Sequence, residues 1–553
     1  MAAPSTNELF SFGDALFLYL EREGIPLNIA SVAILDGDIA GEDLVRYLET
    51  KSTRIPRFRQ RVVTPPFNVG LPSWQDDPHF DVRNHVHEVT LKHGTERELR
   101  TVASAILSTT LDRSRPLWDQ TLVHGLKGDR CAIVLRIHHA LADGISGVGI
   151  LQELFNASPQ VPRLSKRKPR IDAAPQQPDP VSQMIEGIVS TCMYATQRAM
   201  EAQSQILAVA QQIVASLSGA TPNNSGDAVT QNGNATVPPL DQIGRLLPEL
   251  ASATYRLPFN RTICYGPQSF RWAEVSLADI KAVKNACGAT VNDVILSIVT
   301  STIRRYAELH GVDTRGKLVR IVVPVNVRGN GSVADLGNQI TFVPVSIPLD
   351  IADGPELVRA VNDRMTMLKV ARVGELVSIA ATVFGAIPTP VQAILGPIAS
   401  QLPISACNTI CTNVPGPQQP VYMLGRKLTA IYPYVPIGGE MGMNCAILTY
   451  DGKAFFGFTT DVGAMPDAAV LEKFVKESFT AICKGVGVTK QRPPAARKNA
   501  ARKASSRKKA TPPIPAKEVA HAFDDEQMDD EQTPSESGRV EAAHVARTLA
   551  ARA

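Results

Sequence analysis

The stretch Cys131–Phe155, CAIVLRIHHALADGISGVGILQELF, constrains the fold more than any other part of the chain. Cys131–Ile137 is a short, mostly apolar run that suits a buried strand. From Ile145 onward, Val148, Leu151, Leu154 and Phe155 recur at the spacing of a helix that packs one face. Between the two lie His138, His139, Ala140, Leu141, Ala142, Asp143 and Gly144. Two imidazoles, a carboxylate and a glycine thus fall where a strand hands over to a helix. Layered α/β folds place chemistry there, because a rigid scaffold aims a short loop.

Each of these residues has a chemical use. A histidine with an ordinary pKa of roughly 6.5 takes and returns a proton near neutral pH. A carboxylate four residues on can fix the ring's tautomer or hold the loop through a cation. Gly144 permits a backbone conformation in which a β-carbon would clash. Plain structural uses stand beside these: Asp143 as a helix N-cap and His138 as a satisfied core histidine. A metal site built on two His and one Asp lacks a fourth protein ligand, so no metal is expected.

At 553 residues the chain exceeds what one compact core serves, and two domains with additions are expected. The net charge of +4 makes no case for nucleic acid. Eight scattered cysteines without a CxxC read as reduced, intracellular thiols. The N-terminus lacks the basic flank and apolar core of a signal peptide. Residues 8–23, 41–51 and 96–111 read as helices. Asn28–Leu35, Thr121–His124 and Cys131–Ile137 read as strands, the last two joined by a Lys-Gly-Asp turn. The arginines of RIPRFRQRVV read as a solvated edge.

Residues 157–178 are a Pro-, Lys- and Arg-rich linker by composition. Residues 180–218 carry a long apolar helical stripe, which serves either as packed core, the commoner use, or as a face toward lipid. Residues 219–239 have a loop's composition. In the second half, 270–275, 318–325, 340–347, 444–450 and 454–460 read as strands. Residues 277–286, 291–306, 355–372 and 466–483 read as helices. No residue between Glu375 and Arg426 is charged, yet Pro388, Pro390, Pro397 and Pro403 interrupt any transmembrane span. Nine Lys and Arg fall between Lys490 and Lys509, ahead of the acidic Asp524–Glu531, in a tail too polar to order itself.

HHALADG resembles the HHxxxDG signature of acyl-CoA-dependent acyltransferases related to chloramphenicol acetyltransferase and to peptide-synthetase condensation domains. Four further pieces narrow the resemblance: PLW at Pro116–Trp118, ND at Asn292-Asp293, PVNVR at Pro324–Arg328 and LGNQI at Leu336–Ile340. Together, in this order, they resemble the bacterial wax ester synthase/diacylglycerol acyltransferase family over roughly residues 8–485. The resemblance implies an α/β fold of two chloramphenicol-acetyltransferase-like subdomains, with mixed sheets flanked by helices and an active-site channel at their interface. The expected division is 1–156 and 257–486 for the subdomains, 157–256 for the linker and 487–553 for the tail.

The resemblance also implies roles. His139 is the general base, supported by His138, Asp143 and Gly144. Arg328 is a partner for Asp143, and Asn292 lies near the centre opposite the histidine loop. Pro116, Leu117, Trp118, Asp293 and Asn338 are substrate-binding or structural candidates. No cofactor is implied, acyl-CoA being a co-substrate. The expected partners are acyl-CoA, a diacylglycerol or fatty alcohol, and the surface of a membrane or lipid droplet. The expected location is cytoplasmic, peripheral on such a surface.

The chemistry agrees independently. An alcohol is a poor nucleophile at neutral pH, so a positioned base helps. A thioester is already activated, and no GxSxG nucleophile elbow occurs. Direct transfer in a ternary complex follows. Gly311–Lys317 imitates a P-loop, but Leu318 stands where Ser or Thr would hold Mg²⁺. Two alternatives stay open: a condensation-type enzyme with another donor or acceptor, and a non-catalytic lipid-droplet-binding protein.

Overall fold

The computed structural model describes residues 8–161, 254–326, 340–370 and 407–489, except Val69, Asp143, Thr262, Ile263 and Tyr265, together with a few isolated helical positions. The expected linker helix at 180–218 (save isolated positions), the loop at 219–239 and the tail beyond 489 lie outside the described residues. So do Asp143, Arg328 and Asn338.

The first half runs β1 (Glu8–Leu9), α1 (Phe12–Leu20), β2 (Asn28–Asp36), α2 (Gly41–Ser52), β3 (Gln60–Val63) and β4 (Ser73–Asp76). It continues with β5 (Val86–Thr90), α3 (Glu96–Leu107), β6 (Trp118–Leu126), β7 (Arg130–His138) and α4 (Gly144–Leu154). The helix expected from residue 8 starts only at Phe12, because Ser11 caps it by accepting from Asp14 N–H, and Glu8–Leu9 instead pair with β4. Helix α3 buries Leu99, Ala103, Ile106 and Leu107 on one face and is capped by Thr95. The arginine-rich stretch is not wholly a solvated edge. Arg57 is buried, with its guanidinium 4.8 Å from the centre of the Trp74 ring and 2.5 Å from Glu8. The ring and the carboxylate replace the water such a group would otherwise need.

The second half runs β8 (Gln268–Ser276), α5 (Leu277–Cys287), α6 (Val291–Leu309), β9 (Leu318–Asn326), β10 (Ile340–Pro348) and α7 (Pro355–Val370). After these come β11 (Thr409–Pro415), β12 (Tyr422–Met423), β13 (Arg426–Tyr434), β14 (Met443–Tyr450), β15 (Lys453–Asp461) and α8 (Val470–Val486). Gly288, at φ 66°, ends α5 in the left-handed conformation that glycine adopts without strain. Helix α6 opens with a capping box in which Thr290 and Asp293 satisfy each other's backbone N–H. Because a helix precedes Gly311–Lys317, that loop lacks the strand that a phosphate-binding loop follows.

Two six-stranded mixed sheets result, in the orders β12-β13-β2-β7-β6-β5 and β10-β9-β11-β14-β15-β8. The first is antiparallel except at β5–β6, and the second is parallel at β9–β11 and β11–β14. One crossing ties the halves together. Strand β13, from the second half of the chain, pairs antiparallel with β2 in the first sheet. Its side chains reach back to the second sheet: Tyr432 stacks on Trp272 at 4.9 Å, and Tyr434 OH donates to Gln268. Gly457 in β15 lets this crossing backbone in, since a β-carbon there would stand 1.9 Å from the Pro433 carbonyl oxygen. Each sheet has its own apolar core, and Phe270, Trp272, Leu448, Tyr450 and Phe455 of the second half belong to the first core. Among the described residues no single helix is long and apolar enough to cross a membrane; α5 and α6 qualify only as a pair bent by 103°.

Candidate active site

Both histidines stand at the end of β7, and their sides differ because strand residues alternate. His138 points away from the second sheet and is fully buried. Its backbone N–H donates to Leu117 O at 3.0 Å. Ala140 N–H donates to its Nδ1 at 3.0 Å, which leaves Nε2 as the protonated nitrogen. That nitrogen lies 3.4 Å from Glu21 Oε2, a polar contact longer than a well-formed hydrogen bond. Glu21 Oε1 accepts from Leu27 N–H at 3.0 Å, and Leu27 O in turn accepts from His139 N–H at 2.9 Å. Arg113 donates to Glu21 Oε2 through Nε and Nη2. Burial pushes the Glu21 carboxyl up, but His138, the Leu27 N–H and Arg113 outweigh it and hold the group at about 2. Glu21 therefore fastens both backbone and side chain of the histidine pair.

His139 faces the other way. Its ring stacks on Phe17 at 3.9 Å with planes only 7° apart, and it lines a cavity of about 850 Å³ between the two sheets. One wall comes from α1, α4 and strands β2, β7 and β13 of the first sheet, the other from β9, β10, β11 and β14 of the second and the turn around Gly439. The wall is mostly aliphatic. Its few polar side chains include Ser31, His139, Thr412, Asn413, Asn444 and Glu440. Such a space suits an alkyl chain beside one proton-transferring group.

The other expected site residues divide into supports and neighbours. Leu117 and Trp118 are buried supports: Leu117 O holds His138 N–H, and Trp118 stacks between Phe58 and His85 while its indole N–H donates to Phe58 O. Pro116 O accepts from Trp118 N–H and shapes the turn into β6. Beside them, Asp119 forms a buried two-pronged pair with Arg136, which also donates to Ile106 O and Thr109 O. Asp293 is a support as well, capping α6 and accepting from Asn362 at 2.8 Å. Gly144 opens α4. Asn292 is not itself on the cavity wall; its Oδ1 accepts from Asn413 Nδ2 at 3.3 Å, and Asn413 is.

Sequence reasoning missed Glu21, Phe17 and Asn413. Only Asn413 left a signal, the NTICTNVPGP run of small and polar residues. Among the described residues no three His, Cys, Asp or Glu side chains group as metal ligands. None of the eight cysteines forms a disulfide; burial pushes the Cys407 thiol at the cavity wall up to about 11.

Two mixed sheets flanked by helices, with one histidine of a pair facing an aliphatic cavity between them, define an acyltransferase of the HHxxxDG class. Family comparisons make this specific. The wax ester synthase/diacylglycerol acyltransferase catalytic domain matches residues 10–295, and the C-terminal domain of the same family matches residues 336–483. The chain belongs to the wax ester synthase/diacylglycerol acyltransferase family and is an acyl-CoA-dependent O-acyltransferase. It is 27% identical over 497 residues to a protein named as a probable diacylglycerol O-acyltransferase from Mycobacterium tuberculosis, covering 88% of this chain and 97% of that one. A second protein from that organism, also named as a diacylglycerol O-acyltransferase, is 29% identical over 478 residues and covers 82% of this chain and 86% of its own. In fold the chain is similar to the wax ester synthase/diacylglycerol acyltransferase from Marinobacter aquaeolei VT8, with a TM-score of 0.56 and 20% identity over 87% of this chain and all of that one. The first condensation domain of the calcium-dependent antibiotic synthetase is similar in fold at a TM-score of 0.52, with 15% identity over 87% of this chain and 97% of that one.

Proposed function

We propose that the chain transfers a long-chain acyl group from acyl-CoA to the hydroxyl of a diacylglycerol, a long-chain alcohol, or both, with His139 as general base. The observation that carries this reading is the position of His139: the imidazole stands on the wall of an aliphatic cavity between the two sheets, stacked on Phe17. The acceptor hydroxyl gives its proton to the imidazole as its oxygen attacks the thioester carbonyl. The carbon–sulfur bond then breaks, and the departing sulfur takes up the proton. The ester and free CoA are the products, so atoms and charge balance without a covalent enzyme intermediate.

Negative charge on the carbonyl oxygen needs a donor. The Asn413 amide, braced by Asn292, serves in this reading. Its place on the cavity wall supports that role. His138, Glu21 and Leu117 hold the loop in register. Asp143, Arg328 and Asn338 lie outside the described residues; in this reading Asp143 holds the histidine loop with Arg328 as its partner, and Asn338 is a substrate-binding or structural residue.

The substrates are lipids, and we place the enzyme peripherally on a membrane or lipid-droplet surface, drawn there by the Lys490–Lys509 tail at up to ~1 kcal/mol per basic residue near an anionic surface. Deleting residues 488–553 then weakens sedimentation with anionic vesicles while activity on dispersed substrate persists. The test of the reaction is free-thiol release from palmitoyl-CoA, dependent on added dioleoylglycerol or hexadecanol, with the products separated by chromatography. No thiol release with either acceptor, or turnover only with a carrier-bound acyl donor, overturns the proposal.

A further inference from the structure

The register of the first sheet orders its cavity face into layers. Behind His139 on the same face of β7 come Ile137, Leu135 and Ile133. Ile137 pairs with Ile29 of β2, Leu135 with Ser31, and Ile133 with Ala33. On the far side of β2, Ser31 pairs with Pro433 and Ala33 with Ile431 of β13. The cavity is lined by Ile29 and Ile137 and then by Ser31, Leu135 and Pro433. The third layer, Ala33, Ile133 and Ile431, does not line it; all three are packed in the core at 3% exposure or less. The slot therefore has an end, and the end is a single layer across three strands. Leu135 stands four residues from His139, or ~13 Å at the usual rise of a strand, and Ile133 ~20 Å.

We propose, on the acyl-CoA reading above, that this slot seats the acyl chain of the donor and that Ser31, Ala33 and Ile133 set its length. Two observations favour the donor chain over a diacylglycerol acceptor, and the alcohol series below tells it from a long-chain alcohol. The slot stops at the third layer and suits one unbranched chain, whereas a diacylglycerol brings two chains on one glycerol. Apart from His139 itself, the polar wall groups Thr412, Asn413, Asn444 and Glu440 come from β11, β14 and the segment after β13, which leaves the β2–β7 face behind His139 as the aliphatic side. Ser31 is the exception on that face. Its hydroxyl is buried and meets no hydrogen-bond partner among the described residues, so the side chain is there as a small one. A larger residue at 31 fills the second layer, and a smaller one at 133 opens the third.

The test measures kcat/KM of the full-length chain for saturated acyl-CoA donors from hexanoyl to stearoyl with one fixed acceptor. It is repeated for an alcohol series with one fixed donor. Ser31→Leu is expected to lower the palmitoyl-to-octanoyl ratio ~10-fold or more, the scale on which a pocket senses extra methylenes. Ile133→Ala is expected to move the profile toward longer donors, which separates the proposal from general damage if Ser31→Leu fails to fold. Ala33→Gly should act in the same direction as Ile133→Ala. Donor profiles that stay unmoved in folded variants, or a shift in the alcohol profile instead, overturn the proposal. A wild-type chain that uses no acyl-CoA at all defeats the acyltransferase reading, a separate result.

Discussion

Glu21 Oε2 lies 3.4 Å from Nε2 of His138, and both side chains are shut off from solvent. The carboxyl's ordinary pKa of 4.5 is lowered to about 2, so its ionised form stabilises the fold above about 4.5 and that contribution is lost as pH falls toward 2. Glu21→Gln should cost ~3–5 kcal/mol at pH 7, the usual range for breaking a buried pair on one side. The gap in thermal midpoint between wild type and variant should narrow as pH falls below 4.5. Equal midpoints at pH 7 would show that the contact carries no stability.

His139→Ala should lower kcat/KM by ~10²–10⁴, as loss of a general base does, with little change in thermal midpoint because the ring packs at a cavity wall. Phe17→Ala should lower kcat less, since it only frees the stacked imidazole to turn. Steady-state thiol release measures both. A His139→Ala variant that turns over like wild type removes the proposed mechanism.

Asn413→Ala should lower kcat by ~10², the lower end of the range for one donor to a developing oxyanion, and change KM little. Asn292→Ala should act through the 3.3 Å contact that orients Asn413, so the double variant should be no slower than Asn413→Ala alone. Additive losses would mean that the two amides work separately.

The Arg136–Asp119 pair predicts a stability effect without a specificity effect. Asp119→Asn removes the charge opposite a buried guanidinium and should cost ~3–5 kcal/mol. Substrate KM values measured below the lowered melting point should stay near wild type, because neither side chain lines the cavity. A changed acyl-chain profile in this variant would contradict that separation.

The helix and strand pattern around the histidines was legible from sequence because its signals are local. The apolar run of β7 and the period of α4 each lie within a few residues. HHALADG was legible as chemistry for the same reason, two imidazoles at a strand end. The roles of PLW were less so. The motif pointed to the site, but not to the fact that Leu117 contributes a carbonyl and Trp118 an indole wedged between Phe58 and His85.

By itself the sequence determined the main helices, the strands that flank the histidines and the second-half strands β8, β9, β10, β14 and β15, the place of the histidines at a strand end, and the family; β1, β3, β4, β5, β11, β12 and β13 were not read from it. The features that were read depend on local periodicity and on motifs that survive without knowledge of contacts. Tertiary structure alone decided that Glu21, 117 positions before His138, is its partner, and that Asn413 rather than Asn292 reaches the cavity. It also decided that β13 leaves its own half to pair with β2. Strand β13 has the same alternating pattern whichever sheet it joins; its place follows from burial of Tyr432 and Tyr434 against Trp272 and Gln268 and from the room Gly457 leaves. Long-range pairing is a competition among burial options that no local window contains, and the end of the acyl slot at Ala33, Ile133 and Ile431 is set by its outcome.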